Sequence, residues 1–356
     1  MGRMNKTTYR FQPQTANTPI VSVILPFYNA ARYLDASLGS IRRQTLENIE
    51  IICVDDGSTD SSPQLVERHI AEDHRIVLLR QPNQGVYAAR NNGLSHARGE
   101  FVYFFDSDDV LLPEALETAH ATMVRDNLDV CLFSADTFYE RNSLRWSHPQ
   151  FHNRYRLTGQ YPGVHTGEEL VEMTVKNDDT RIVVWLQMIR RDLLVRHNIW
   201  FTELRVRMDN LFSFQVQTAA ERAECLPDVL VRRRVRAGSL VTTVAQQADF
   251  DGHMTSVVLM LKALATTNPS PGLLAAATTW VSWQFYSAKL SLSQIPAGQR
   301  HSPTFDDPLE AMLASFLFNQ AQEYVKFLSS APGRFTTAVL YVPRKVREIV
   351  RSLGRR

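Results

Sequence analysis

The sequence predicts an α/β fold: a mostly parallel sheet flanked by helices, followed by a region of helix alone. Three observations carry this. Short runs rich in β-branched and aromatic residues alternate with segments of helical periodicity, in units of about 30 residues, the pattern of strand–helix–strand crossovers. Each early run ends in a polar loop, as the carboxyl ends of parallel strands do where ligands bind. From about residue 245 onward only helical periodicity remains.

Residues 1–18 are expected to form a disordered lead-in. Order begins with IVSVIL at 20–25, a β-branched run that reads as a buried strand, with Pro26 as its stop and Phe27, Tyr28 and Asn29 as a loop. Leu34, Leu38 and Ile41 then recur at helical spacing. A second strand, IEIICV at 49–54, stops at Asp55 and Asp56, and the DDGSTD loop carries an N-cap signal for a helix through Leu65, Val66 and Ile70. A short strand at 76–79, a QPNQG turn at 81–85 and a helix at 86–97 follow.

The stretch FVYFFDSDDVLL at 101–112 is the most telling. Its aromatic, β-branched start reads as a strand, and it runs straight into Asp106, Asp108 and Asp109. Carboxylates a few ångströms apart resist joint ionisation unless a cation sits among them. Oxygen ligands suit Mg²⁺ or Mn²⁺. An Asp-rich turn in which Asp109 caps the next helix is the plainer alternative, but a cap needs only one Asp.

Further on, a helix at 116–124 and a strand DVCLFSA at 129–135 precede a polar, aromatic-rich stretch at 137–161, which reads as an acceptor-facing loop or as an exposed insertion. Residues 167–175 look helical, and 183–194 carry Trp185 and two arginines on an otherwise apolar segment. Asp209 precedes an apolar helix, LFSFQVQTAA at 211–220, and 229–240 hold Arg232, Arg233, Arg234 and Arg236. Helical segments at 253–264, 273–292 and 309–328 complete the chain, which divides into residues 19–244 and 245–356.

Composition narrows the function. An apolar content of 44% and a charged content of 21% over 356 residues are ordinary for a globular protein. A net charge of +2 identifies no partner by itself, and no nucleic-acid partner is expected. Cys53, Cys131 and Cys225 are scattered among apolar neighbours and form no CxxC pair, so reduced, buried thiols are expected rather than disulfides or zinc. No signal-peptide core opens the chain, and no apolar run reaches the roughly 18 residues of a membrane span. A cytoplasmic setting is the expectation. Neither GxGxxG after the first strand nor GxxxxGK[ST] is present, which counts against dinucleotide enzymes and P-loop nucleotidases.

IVSVILPFYNAARYL, ICVDDGSTDSS and NQGVYAARNNGLSHARGEFVYFFDSDD, in that order and spacing, closely resemble the family 2 glycosyltransferases of the GT-A fold. The resemblance is strong over 20–112, looser to Ser239, and absent from the helical third. It implies a GT-A, Rossmann-like domain at 19–244 that moves a sugar from a nucleotide-sugar, most simply a UDP-sugar, to an acceptor hydroxyl with inversion. Pro26, Tyr28 and Asn29 would cradle uracil and ribose, and Asp56, with Asp55, would read the base. Arg90, Asn91 and Gly93 would lie near the nucleotide. Asp106 would contact the ribose and Asp108 would bind Mn²⁺ or Mg²⁺, with Asp109 in support. Physical reasons agree: a divalent cation offsets the charge of a departing diphosphate, and carboxylates accept from ribose hydroxyls and the uracil N–H.

The resemblance also implies a general base. Inverting members carry a Glu-Asp pair opening a helix; here Asp209 matches the Asp and Met208 replaces the Glu. A helix cap is the simpler role for Asp209. In the Trp-x-Lys-x-Tyr-Arg block, Trp185 and Arg190 match, whereas Gln187 and Ile189 depart. RRVRAGSL resembles a Tyr-Arg-x-Arg-x-x-Ser segment, implying Arg234, Arg236 and Ser239 near the diphosphate; a solvated basic loop is the alternative. The basic amphipathic tail VPRKVREIVRSLGRR can lie on an anionic membrane, which would suit a lipid-linked acceptor, or can pack on the protein. The family's usual setting implies saccharide or glycolipid acceptors in bacterial capsule, exopolysaccharide or lipopolysaccharide assembly. Two other readings share the acidic site: a metal-dependent hydrolase or nucleotidyltransferase, and a non-catalytic nucleotide-sugar-binding scaffold.

Overall fold

A computed structural model describes residues 9–13, 18–180, 183–203, 208–236, 247–266 and 269–330. In chain order its first elements are β1 (Val21–Phe27), α1 (Ala31–Arg42), β2 (Ile49–Asp55), α2 (Ser62–Glu72), β3 (Ile76–Arg80), α3 (Val86–His96) and β4 (Phe101–Phe104). There follow β5 (Val110–Leu111), α4 (Ala115–Arg125), β6 (Val130–Tyr139), α5 (Asn142–Ser147), α6 (Gly167–Lys176), β7 (Gln187–Arg190) and α7 (Arg191–Arg196). The last are α8 (Met208–Ala219), β8 (Ala223–Val235), α9 (Gln247–Thr266), α10 (Pro271–Ser293) and α11 (Pro308–Ser330).

The strands form one sheet in the order β3-β2-β1-β4-β7-β6-β8-β5. The first four are parallel, as the alternating pattern predicts. β7 then runs antiparallel between β4 and β6, and β5 antiparallel beside β8, so the sheet is mixed on one side. Alternation sorts the strand side chains onto two faces. Val21, Val23, Leu25, Ile49, Ile51, Phe101 and Tyr103 join one apolar core with Leu34 and Leu38 of α1. On the opposite face α3 approaches so closely that a Cβ on Gly93 would lie 2.5 Å from Ile24 Cγ2.

Two expectations change here. Pro26 does not end β1, which continues to Phe27 in register with Asp55. Pairing with β4 has already stopped at Ile24–Phe104, and proline is tolerated where a strand has no further donor to give. Nor are all of residues 1–18 a loose lead-in. Phe11 packs on Trp200 with ring centroids 4.2 Å apart, the Arg191 guanidinium lies 5.6 Å from the Phe11 ring, and Arg191 Nη2 donates to the Gln12 carbonyl. Two aromatics in a polar stretch are too sparse to show periodicity, so the sequence hid this contact.

The chain divides into two compact units. The first holds the sheet with α1–α5 and α7; the second gathers residues 167–182, 204–218 and 237–356. A single break near residue 244 therefore misses α6 and α8, whose Val171, Leu211 and Phe214 belong to the second core with Val257, Leu261, Trp280 and Leu317. Phe214 meets Trp280 edge-on at 5.4 Å. α9, α10 and α11 lie where helical periodicity predicts. Ser270 caps α10 by accepting from Leu273 N at 3.0 Å, with Pro271 preset for the first turn.

Candidate active site

The site grows from the ends of β1, β2 and β4. β4 stops at Phe104, and the chain turns so that Asp109 N donates to the Asp106 carbonyl at 3.3 Å. The turn separates its three acids. Asp106 and Asp108 keep side chains 34% and 22% exposed. Asp109 is only 2% exposed and its Oδ1 accepts from Arg234 N at 2.7 Å. Burial first, then the charges of Asp108 and Asp106, raise the Asp109 carboxyl well above the usual range, although Arg233 and the Arg234 N–H oppose this. Asp109 is thus a buried anchor for β8 and does not present itself as a metal ligand.

Arginines supply the counter-charge. Arg90 of α3, itself buried, donates from Nη2 to Asp106 Oδ1 at 2.9 Å, and its guanidinium lies 5.2 Å from the Phe201 ring. Arg234 of β8 donates from Nε to the Asp108 carbonyl at 2.8 Å, and Arg236, directly after the strand, donates from Nε to Asp108 Oδ2 at 2.6 Å. The strand alternates its arginines between faces. Arg232 and Arg234 stack on Phe138, and Arg234 and Arg236 on Tyr33, whereas Arg233 lies over Phe151 and Tyr155. The basic segment is therefore not merely a solvated loop.

On the same rim, Asp56 accepts from Gln84 N and Gln81 Nε2, each at 2.9 Å, and from Gly85 N at 2.8 Å. A carboxylate offers about four acceptor positions, and three of those of Asp56, which is buried, are filled among the described residues. Asp55 closes its own turn by accepting from Ser58 N at 2.8 Å. Asn29, at φ 48°, adopts the left-handed conformation that Asn tolerates and stitches the first loop to the second by accepting from Thr59 N at 2.8 Å. Tyr28 is half exposed beside it, after Pro26. Asn91 is buried with both amide atoms on the backbone of Phe201, donating to its carbonyl at 2.8 Å and accepting from its N–H at 2.9 Å. Its described bonds support the segment behind Arg90.

Among the described residues no three Asp, Glu, His or Cys side chains converge as a metal cage. The donor set nevertheless fits a small hard cation: Mg²⁺ and Mn²⁺ take one or two carboxylates and fill their shell with phosphate oxygens and water, and Asp106 and Asp108 are partly exposed carboxylates on one turn.

Asp209 lies in the second unit, in the first turn of α8, where a carboxylate suits the helix's N-terminal partial charge. The helix starts three residues earlier than its apolar run indicates. Gln187 and Ile189 are buried in β7, where they serve the sheet. Arg190 donates to Glu100 Oε1 and to the Leu128 carbonyl, tying β7 to its neighbours. Ser239 and the basic tail from Val342 lie outside the described residues. Sequence reasoning missed Tyr33, whose ring carries Arg234 and Arg236 and whose hydroxyl donates to Glu140 Oε1 at 3.2 Å. Its position one turn into the helix after the PFYN loop was the available signal.

A largely parallel sheet whose strand ends gather an Asp-x-Asp turn, the Asp56 carboxylate and stacked arginines fits the GT-A glycosyltransferases. The comparisons agree. The family model "Glycosyl transferase family 2" matches residues 22–194. The chain is 32% identical over 242 residues to the "Uncharacterized glycosyltransferase EpsJ" of Bacillus subtilis (strain 168), covering 66% of this chain and 67% of that protein. It is 32% identical to the "Putative glycosyltransferase EpsH" of the same organism, covering 63% of each. The chain thus spans about two thirds of the length of these relatives. Among solved structures it is similar to Staphylococcus aureus TarS (residues 1–349) in complex with UDP-GlcNAc, with TM-score 0.68, 21% identity, and 94% and 90% of the two chains covered. It is also similar to the mannosyltransferase PcManGT of Pyrobaculum calidifontis in complex with GDP-Man and Mn²⁺, with TM-score 0.52, 19% identity, and 98% and 90% covered. The chain belongs to glycosyl transferase family 2.

No helix among the described residues is long and apolar enough to cross a membrane.

Proposed function

We propose that the protein transfers a sugar from a UDP-sugar to an acceptor hydroxyl, with inversion at the anomeric carbon, during assembly of a polysaccharide or glycolipid. The observation that carries this reading is the pairing of Asp106 with Arg90 and of Asp108 with Arg236 at the end of β4. Carboxylates and guanidinium groups held together in this way offer acceptors for ribose hydroxyls and donors for phosphate oxygens within one turn of backbone. The UDP-GlcNAc bound by TarS supports a uridine donor.

Asp56 has an acceptor position suited to the N–H of uracil, with Pro26, Tyr28 and Asn29 forming the neighbouring loop and Asp55 holding its own turn. Asp106 accepts from the ribose. Arg234 and Arg236 steady the diphosphate, with Arg90 orienting Asp106. Asp106 and Asp108 would hold a divalent cation, as the Mn²⁺ of PcManGT supports, and such an ion supplies charge compensation to a diphosphate leaving group. Asp209 takes the proton from the acceptor hydroxyl, a role worth roughly 10²–10⁴-fold in rate. The oxygen so activated attacks the anomeric carbon on the face opposite the nucleotide, and UDP departs.

Calorimetric titration of UDP in Mn²⁺ and in EDTA, with wild type and Asp108→Ala, tests the donor site. Binding that needs both the metal and Asp108 is expected. Equal binding in all four arms, or none, overturns the reading. Screening UDP-sugars with Asp209→Asn as control then tests transfer; donor turnover indifferent to any acceptor favours a hydrolase, and binding without turnover a scaffold.

A further inference from the structure

The residues just before the family-matched region reach the part of the rim that holds Asp56. Tyr9 stacks on Trp200 at 5.7 Å, and Phe11 meets the same indole at 4.2 Å from further along the segment. Arg191 clamps the Gln12 carbonyl and lies over Phe11. This docking carries the Tyr9 hydroxyl to the Ala88 carbonyl at 3.5 Å, in the first turn of α3. That turn begins at Gly85, whose N–H, with that of Gln84, is what Asp56 accepts. The phenol and the Asp56 carboxylate are thus both bonded to backbone groups at the start of α3, at Ala88 and at Gly85. Tyr87, in the same turn, has its phenol pushed up to about 12 by burial and by Glu203, its hydrogen-bond partner, with smaller contributions from Tyr9 and Asp56. Tyr9 is raised by burial and by the same two carboxylates, Glu203 and Asp56.

Its bond to Ala88 is at the long limit for a hydroxyl donor, so little is lost when the proton turns to another acceptor. A uracil presents one N–H flanked by two carbonyls. An acceptor beside a phenolic donor complements that edge, and Asp56 alone can satisfy only the N–H. We propose that Tyr9 is a specificity-determining residue of the nucleotide site, donating its hydroxyl to a base carbonyl next to the N–H that Asp56 accepts. The docked segment at 9–12 serves as a strap that carries it there. This inference rests on the uridine-donor reading above and extends it to residues upstream of the matched family region.

The test is titration of UDP into wild type, Tyr9→Phe and Phe11→Ala in Mn²⁺, with thermal melting of each protein. Tyr9→Phe keeps the ring that stacks on Trp200 and removes only the hydroxyl. It should weaken UDP binding about tenfold, the size of one hydrogen bond, without moving the melting temperature. Phe11→Ala frees the strap and should weaken UDP by at least as much. Unchanged affinity in Tyr9→Phe, with or without a loss in Phe11→Ala, overturns the inference and leaves the strap a purely structural element. A wild type that binds no UDP overturns the donor reading and this inference together, whereas normal wild-type binding with an inert Tyr9→Phe overturns this inference alone.

Discussion

Arg236 Nε donates to Asp108 Oδ2 at 2.6 Å, across 128 residues of sequence, and joins the residue that follows β8 to the acidic turn after β4. Burial lowers the arginine's pKa, but the hydrogen bond and charge of Asp108 prevail and it stands above its usual value. The guanidinium is therefore charged at any working pH. Arg236→Ala should weaken UDP binding by roughly 10- to 100-fold, the scale of a charge-assisted hydrogen bond, and Arg236→Lys should restore only part. Calorimetry on the two variants checks this.

Asn91 predicts a folding effect in place of a binding one. Its two bonds to Phe201 are buried, and Asn91→Leu would leave a backbone N–H and carbonyl without side-chain partners. A loss of about 2–4 kcal/mol is expected, read by urea denaturation.

Gly93 gives a steric prediction. A methyl group there meets Ile24 Cγ2 at 2.5 Å and Val54 Cγ2 at 3.2 Å, so α3 must lift from β1 and β2. Gly93→Ala should cost about 1–3 kcal/mol, despite alanine's better helix propensity, and should lower the melting temperature.

Lys289 yields a pH dependence in the second unit. It is 2% exposed, with its amine 4.1 Å from the Tyr324 ring, and burial lowers its pKa from 10.5 to about 8. Between those values the unfolded chain binds the extra proton, so stability rises with pH; below pH 8 both states are protonated and the folded state carries the full cost. From pH 8 to 9.5 wild type should gain about 1–2 kcal/mol relative to Lys289→Met, at about 1.4 kcal/mol per unit. Urea denaturation across that range measures it, and parallel curves for the two proteins would sink the assignment.

The parts legible in the sequence were those governed by period and local chemistry. β1, β2 and β4 are runs of β-branched and aromatic residues, and α9 to α11 show helical spacing over 20 residues or more. β7 is four residues long and β8 holds Pro227, Asp228 and three consecutive arginines, so neither alternates cleanly. Both depend on partners distant in sequence. The site divided in the same way. Asp106 and Asp108 stood out by their place after a strand. That Asp109 turns inward and that Asn91 holds Phe201 follow from contacts over 100 residues long, which no local pattern encodes.

β8 acts as a ruler. Leu111 faces Val231 and Val110 faces Arg232, which sets the distance along the strand at which Arg234 and Arg236 meet the acidic turn. Because neighbouring side chains point to opposite faces, a single residue inserted between Arg232 and Arg233 would put Arg233 where Arg234 belongs. Point substitutions in this strand can be absorbed one contact at a time. Changes of length cannot, and they should be met far less often among sequences descended from this one.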